Sequence, residues 1–240
     1  MQTHGETALA GARQKRLRDA ELLRRVAVAP VRGGAAALRA RLREEALELA
    51  RTEHLLEAAY SYRIVPLEAP PAPFLRAGDE RLHAPRLLPE SGTLTALGCA
   101  VCTAGPKIEA RVRALFAGKR PSLALALDEL GNALLFEVSR RAQDRMLADA
   151  VRQGLTFGGE LRAGDPGLAL DAQAAVLRLA QAEGIGVRLG SGQAMQPLKS
   201  VSMVFGIGID LPKTHWSRCD DCSSREKCGL AGRSATLQAA

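Results

Sequence analysis

Residues 93–131 read TLTALGCAVCTAGPKIEARVRALFAGKRPSLALALDELG, and the pattern of this stretch decides the fold. Thr93 to Thr103 is apolar and β-compatible, which predicts a strand. Gly105-Pro106 ends it, and Pro106 suits the first turn of a helix, where a missing N–H costs nothing. Ile108, Val112, Leu115 and Phe116 give that helix one apolar face, and Gly118 is a natural C-terminal stop. Pro121 then opens a second helix running to about Arg152. Its first half is apolar nearly all round, as in a buried helix. Gly131 inside it costs about 1 kcal/mol of helix propensity relative to Ala, which points to close packing against another element. Asp128 in the same stretch needs an Arg partner or a functional contact, because an unpaired buried carboxylate is costly.

Downstream, Leu155 to Leu161 predicts a strand, followed by the loop Arg162-Ala163-Gly164-Asp165-Pro166-Gly167. Leu170, Ala174, Leu177 and Ala180 share one face of a helix over 168–183, closed by Gly184. Ile185 to Leu189 and Val201 to Ile209 read as strands. Upstream, residues 1–20 read as a mobile basic arm, a short helix starts at Ala20 and stops before Pro30, and residues 35–58 carry helical periodicity. Ser61 to Leu67 reads as a short strand. Six of the twelve prolines fall between Pro66 and Pro89, which predicts a linker or an irregular wrap, centred on Ala69-Pro70-Pro71-Ala72-Pro73. Helices in runs, with strands late and in pairs, predict an α+β fold. The organisation expected is an arm (1–20), a helical part with a Pro-rich connection (21–89), an α+β core (90–214) and a cysteine-containing tail (215–240).

The net charge of +7 is dominated by Arg, crowded at the N-terminus from Arg13 to Arg43. Stacking aromatics and a recognisable nucleic-acid module are both missing, so composition favours a solvated arm over a nucleic-acid surface. An acidic protein partner stays open. No apolar run approaches the roughly 20 residues of a membrane span, and the first 30 residues hold no signal-peptide core. The expectation is a cytoplasmic protein.

Five cysteines form two clusters, Cys99/Cys102 and Cys219/Cys222/Cys228. Without a secretory signal such spacings read as metal or redox sites rather than disulfides. Cys219-x2-Cys222-x5-Cys228 supplies three thiolates that can close on one ion or cluster, with Arg218, Arg225 and Lys227 offsetting their charge. Zinc and an iron–sulfur cluster both remain open, and so does the fourth ligand: His215, Asp220, Asp221, Cys99, Cys102 or an exogenous molecule. Cys99 and Cys102 are an odd number of residues apart, so a strand points them to opposite faces. Cys102, at the strand end, is the better candidate to join the C-terminal ligands; the alternative is a small buried hydrophobe. Gly184-Ile185-Gly186 and Gly206-Ile207-Gly208 do not complete a dinucleotide fingerprint and read as turn and close-packing glycines.

Several segments together resemble one family. They are Gly105-Pro106-x-Ile108-Glu109-x-Arg111-Val112-x-x-Leu115-Phe116, Ala124-Leu125-Ala126-Leu127-Asp128-x-x-Gly131, Gly184-Ile185-Gly186-Val187-Arg188-Leu189-x-Ser191, and Met195-x-Pro197-x-Lys199-Ser200-Val201-Ser202 with Gly206-Ile207-Gly208. In this order they resemble the activation (reactivation) domain of cobalamin-dependent methionine synthase, and in particular short stand-alone relatives that end in a cysteine triplet. The resemblance covers roughly residues 90–230. It implies a twisted antiparallel sheet flanked by helices, docking on a corrinoid-binding module, and S-adenosylmethionine binding while cob(II)alamin is reductively methylated. Arg162, Gly164, Ser200 and Ser202 would be its cofactor-binding positions. The family's loop reads Arg-x-x-Pro-Gly-Tyr, whereas Arg162 to Gly167 has no Tyr, a displaced Pro, and Asp165 in place of the ring, which argues against adenosylmethionine. The corrinoid-ligating Asp-x-His-x-x-Gly signature is missing, so the cobalamin would sit on a partner. The reading is therefore an accessory protein acting in trans on a corrinoid protein or methyltransferase subunit, served by an electron-donor protein. The alternatives are a non-enzymatic metal-containing module that binds a corrinoid or its protein, and a self-contained adenosylmethionine-dependent methyltransferase.

Overall fold

Thr93–Thr103 forms a strand whose last eight residues are all buried, because it is paired along both edges and covered on both faces. Around it the chain builds a five-stranded antiparallel sheet, seen in a computed structural model that describes residues 11–27, 36–68 and 74–212. In chain order the elements are β1 (Arg13–Arg16), α1 (Asp19–Ala27), α2 (Ala36–Thr52), β2 (Ala59–Pro66), a hairpin of β3 (Phe74–Ala77) and β4 (Glu80–His83), and β5 (Thr93–Thr103). They continue with α3 (Lys107–Ala117), α4 (Pro121–Val151), β6 (Thr156–Leu161), α5 (Gln173–Leu179), β7 (Arg188–Leu189), β8 (Met195–Gln196) and β9 (Ser200–Ile209). The sheet order is β1-β2-β5-β9-β6, so β1 and β6 are its edges. This is the α+β class that runs of helices with late, paired strands predict.

Two apolar layers sandwich the sheet. On one face Leu123, Leu127, Leu134, Val138 and Met146 of α4 pack on Tyr62, Ala100, Cys102, Met203 and Phe205, with α1, α2 and α3 around them. On the other, Val176 and Leu179 of α5 and Leu75 and Leu82 of the hairpin cover Val65, Leu97, Cys99, Val101 and Val204. Each fully buried Leu or Val is worth about 1.5–3 kcal/mol, so this double burial holds β5 at the centre.

The α4 interior bears out the packing expectation. A Cβ at Gly131 would lie 3.1 Å from Ile108 Cγ2 and 3.4 Å from Lys199 Cε, so α3 and the start of β9 press against the helix there. Asp128 finds its basic partner in Lys199, whose Nζ lies 2.8 Å from Oδ1, rather than in an arginine. Gly184 and Gly208 are close-packing glycines: added Cβ atoms would meet Gln14 Nε2 at 2.1 Å and the Thr93 carbonyl at 2.0 Å.

Several local expectations give way. Residues 13–16, read within a mobile arm, pair with Tyr62 to Ala59 as an edge strand. The proline-rich stretch holds the β3–β4 hairpin, while residues 69–73 lie outside the described residues. The helix read over 35–58 stops at Thr52, beyond which His54 takes a φ of +50°. The helix read over 168–183 shrinks to Gln173–Leu179, because Leu170–Ala172 is a 3-10 turn and Gln181 is left-handed. The strand read over 185–189 is only two residues long and pairs with β8 in a separate ribbon. Among the described residues, no helix is long and apolar enough to cross a membrane.

Candidate functional site

The register of the sheet places Arg16, Ala59, Thr103 and Ser200 in one row across β1, β2, β5 and β9. The row is knit by Thr103, whose Oγ1 accepts from Ser200 Oγ at 2.9 Å and from the Gly105 N–H at 3.0 Å. Beyond it opens a cleft of about 630 Å³, walled by the start of α3, the 3-10 turn ending at Ile185 and the β7–β8 ribbon. Arg16, Arg113 and Arg188 line it from three different elements, with Thr103 on the sheet side. Two carboxylates line it as well, and both are engaged. Glu57 meets Lys107 Nζ at 3.0 Å, and Glu109 accepts the Leu198 N–H at 2.7 Å.

The residues singled out by sequence reach different places. Ser200 bonds to Thr103 at the cleft, and Ser202 shares its sheet face two residues on but is buried. Arg162, Gly164 and Ser202 do not line the cleft. Arg162 follows the end of β6, with its Nε 3.1 Å from Glu160 Oε1. The loop after it closes on itself: Asp165 Oδ2 accepts the Arg162 N–H at 2.8 Å, and the Asp165 N–H bonds the Arg162 carbonyl at 2.9 Å. The Gly164 N–H bonds the Leu168 carbonyl at 2.9 Å, and the Leu168 N–H bonds the Asp165 carbonyl at 3.0 Å.

Cys99 and Cys102 point to opposite faces, as their odd spacing predicts, and enter different core layers. Burial pushes both thiols up to about 12, outweighing the Arg63 charge near Cys99 and the Ser139 hydrogen bond at Cys102. Cys102 is wholly buried in the layer beneath α4. Among the described residues no group of three or more His, Cys, Asp or Glu side chains could hold a metal ion. Cys219, Cys222 and Cys228 lie outside the described residues.

A second polar cluster escapes the sequence reading. Asp149, near the end of α4, is 4% exposed and accepts the Tyr62 hydroxyl at 2.5 Å. Arg13 Nε lies 2.7 Å from the same oxygen, and Arg152 bonds the other. Burial first, and the Asp149 carboxylate second, push the Tyr62 hydroxyl well above its ordinary value. About three turns earlier in the helix, Glu137 binds Arg140 and Arg141, and Arg141 reaches Glu21 of α1 at 2.9 Å. Burial raises the Glu137 carboxyl, but the bonds from Arg140 and Arg141 outweigh it and leave it below its usual range. The signal was present in the sequence: Asp149 continues the buried stripe Ala142, Met146 at helical spacing.

No protein-family model matches the sequence, and no curated protein matches it. Among solved structures, the chain is similar to the MetH reactivation domain bound to AdoHcy, with a TM-score of 0.63 at 16% sequence identity. The likeness spans 92% of this chain and 86% of that one. At this identity it shows a shared fold.

Proposed function

We propose that the chain, sharing its fold with a methionine synthase reactivation domain, acts in trans on a corrinoid protein in cobalamin-dependent methyl transfer. It docks on that protein and assists the return of Co(II) to the catalytic cycle. The observation that supports this most is the fold likeness over 92% of the chain. The segments that carry the sequence resemblance add to it, since they form α3, part of the first half of α4, the 3-10 turn with the β7–β8 ribbon, and β9, with α4 packing on both α3 and β9.

The AdoHcy of the neighbour raises an S-adenosyl ligand for this chain, and the Arg162–Gly167 loop does not fit it. A ligand carboxylate there would compete with Glu160 for the Arg162 guanidinium. The loop amides at Arg162, Gly164 and Asp165 already have acceptors, one of them the Asp165 side chain. No step is therefore routed through such a ligand. Within the proposal, Cys219, Cys222 and Cys228 form an iron–sulfur or zinc site, with Cys102 as the candidate fourth ligand.

The test is anaerobic. The full chain, immobilised, is expected to retain a corrinoid protein, and in solution to speed loss of its Co(II) EPR signal when an electron-donor protein is supplied. Neither retention nor a change in the signal removes the reading. Retention without a change, persisting when the three tail cysteines are replaced by Ser, leaves a binding module. Metal analysis of protein purified without oxygen separates cluster from zinc, and calorimetry with S-adenosylmethionine is expected to show no heat of binding.

A further inference from the structure

The cleft at the end of the sheet has a charge distribution that the reading above does not use. Arg13, Arg111, Arg120 and Arg178 each meet a carboxylate within ion-pair distance. The side chains of Arg16, Arg113 and Arg188 form no ion pair or hydrogen bond among the described residues, and all three line one cavity. Among the described residues the lining sets two carboxylates against these three arginines, Glu57, which Lys107 offsets, and Glu109, which keeps its charge while accepting the Leu198 N–H, so the net charge stays positive. A concave surface with a net positive lining attracts anions.

The rest of the wall has the same preference. α3 begins at the cleft with Pro106 as its N-cap, and no side chain caps its first-turn N–H groups. Those groups are unsatisfied donors at the positive end of a helix. A guanidinium fork suits the bidentate recognition of phosphate oxygens, and the volume lies within the roughly 300–1,000 Å³ usual for small organic ligands. From this convergence we propose that the cleft binds a phosphate-bearing small molecule between Arg16, Arg113 and Arg188. The inference does not depend on the corrinoid reading.

The probe is pyrophosphate, titrated calorimetrically into the full chain at fixed ionic strength, with citrate as the carboxylate counterpart. Pyrophosphate is expected to bind one site per chain and more tightly than citrate. Arg113→Ala and Arg188→Ala should each weaken it by about tenfold or more, as the loss of a charge-assisted bidentate contact does. Arg113→Lys, which keeps the charge and removes the fork, should fall between. Arg41→Ala, on the exposed face of α2, should change nothing. Melting temperatures of the variants separate loss of binding from loss of fold. Absence of pyrophosphate binding overturns the proposal. So does an equal loss in Arg41→Ala, which marks diffuse attraction to a basic protein, and so does tighter binding of citrate.

Discussion

Arg13 and Arg16 stand three residues apart on β1, and the odd spacing sends them to opposite faces of the sheet. Arg13 lies on the α4 side, where Asp149 and the Tyr62 hydroxyl complete a closed set of partners. Arg16 lies at the sheet end, where α3 and the β7–β8 ribbon leave a cavity instead of a carboxylate. The same residue type in the same short strand is structural at one position and available for binding at the other. What differs is whether a helix lays a carboxylate over it.

Four measurements break or sharpen that contrast. The largest effect is expected from Asp149→Ala. It strips the acceptor from a buried tyrosine hydroxyl and two arginines, which costs about 2–4 kcal/mol. At about 2–4 °C per kcal/mol this lowers the melting temperature by roughly 8 °C. A fall below 1 °C would mean that the corner holds nothing.

Next comes Tyr62→Phe, which removes a hydrogen bond to a charged group worth about 1.5–3 kcal/mol. The native Tyr62 hydroxyl is raised above its unfolded value, so its stabilisation is complete below about pH 10 and is lost as pH climbs through the folded value. Urea midpoints should be flat from neutral pH to about pH 10 and then fall, with a smaller fall in Tyr62→Phe. Tyrosinate absorbance should appear together with unfolding, because the Tyr60 hydroxyl is raised as well, chiefly by burial.

Glu137→Gln tests the neighbouring network and should cost about 1 kcal/mol at neutral pH. The Glu137 carboxyl is lowered in the folded state, so its contribution is present above about pH 4.5 and is lost as pH falls through the folded value. Wild type and variant should therefore converge on acidification.

The smallest effect belongs to Arg16→Ala, expected within about 0.5 kcal/mol of wild type in urea denaturation. A large loss there would mean that the cleft arginines also hold the sheet together.

The middle of the chain was legible for a simple reason. Residues 93–103, 107–117, 121–151 and 200–209 carry their burial in a local period, and Gly105-Pro106 and Pro121 mark their joints. β1 was not legible because all four of its residues are exposed, so it has no apolar alternation to read. The β3–β4 hairpin was hidden by the prolines before it, although Leu75 and Leu82 face the core. The opposite faces of Cys99 and Cys102 followed from spacing alone. The cleft did not, because Arg16, Arg113 and Arg188 are brought together by the strand register and by a helix start far apart in the chain. Arg162 could be placed in a loop, but the competing Glu160 contact and the Asp165 closure are properties of the folded backbone.

The exposed edge of β1 has a further effect on how copies of the protein meet. Arg13-Gln14-Lys15-Arg16 offers a row of backbone donors and acceptors on which a strand of another molecule could add. Three cations in four residues stand along that row, so a second copy arriving edge to edge would set like charges against each other. A basic edge of this kind disfavours open-ended edge-to-edge pairing.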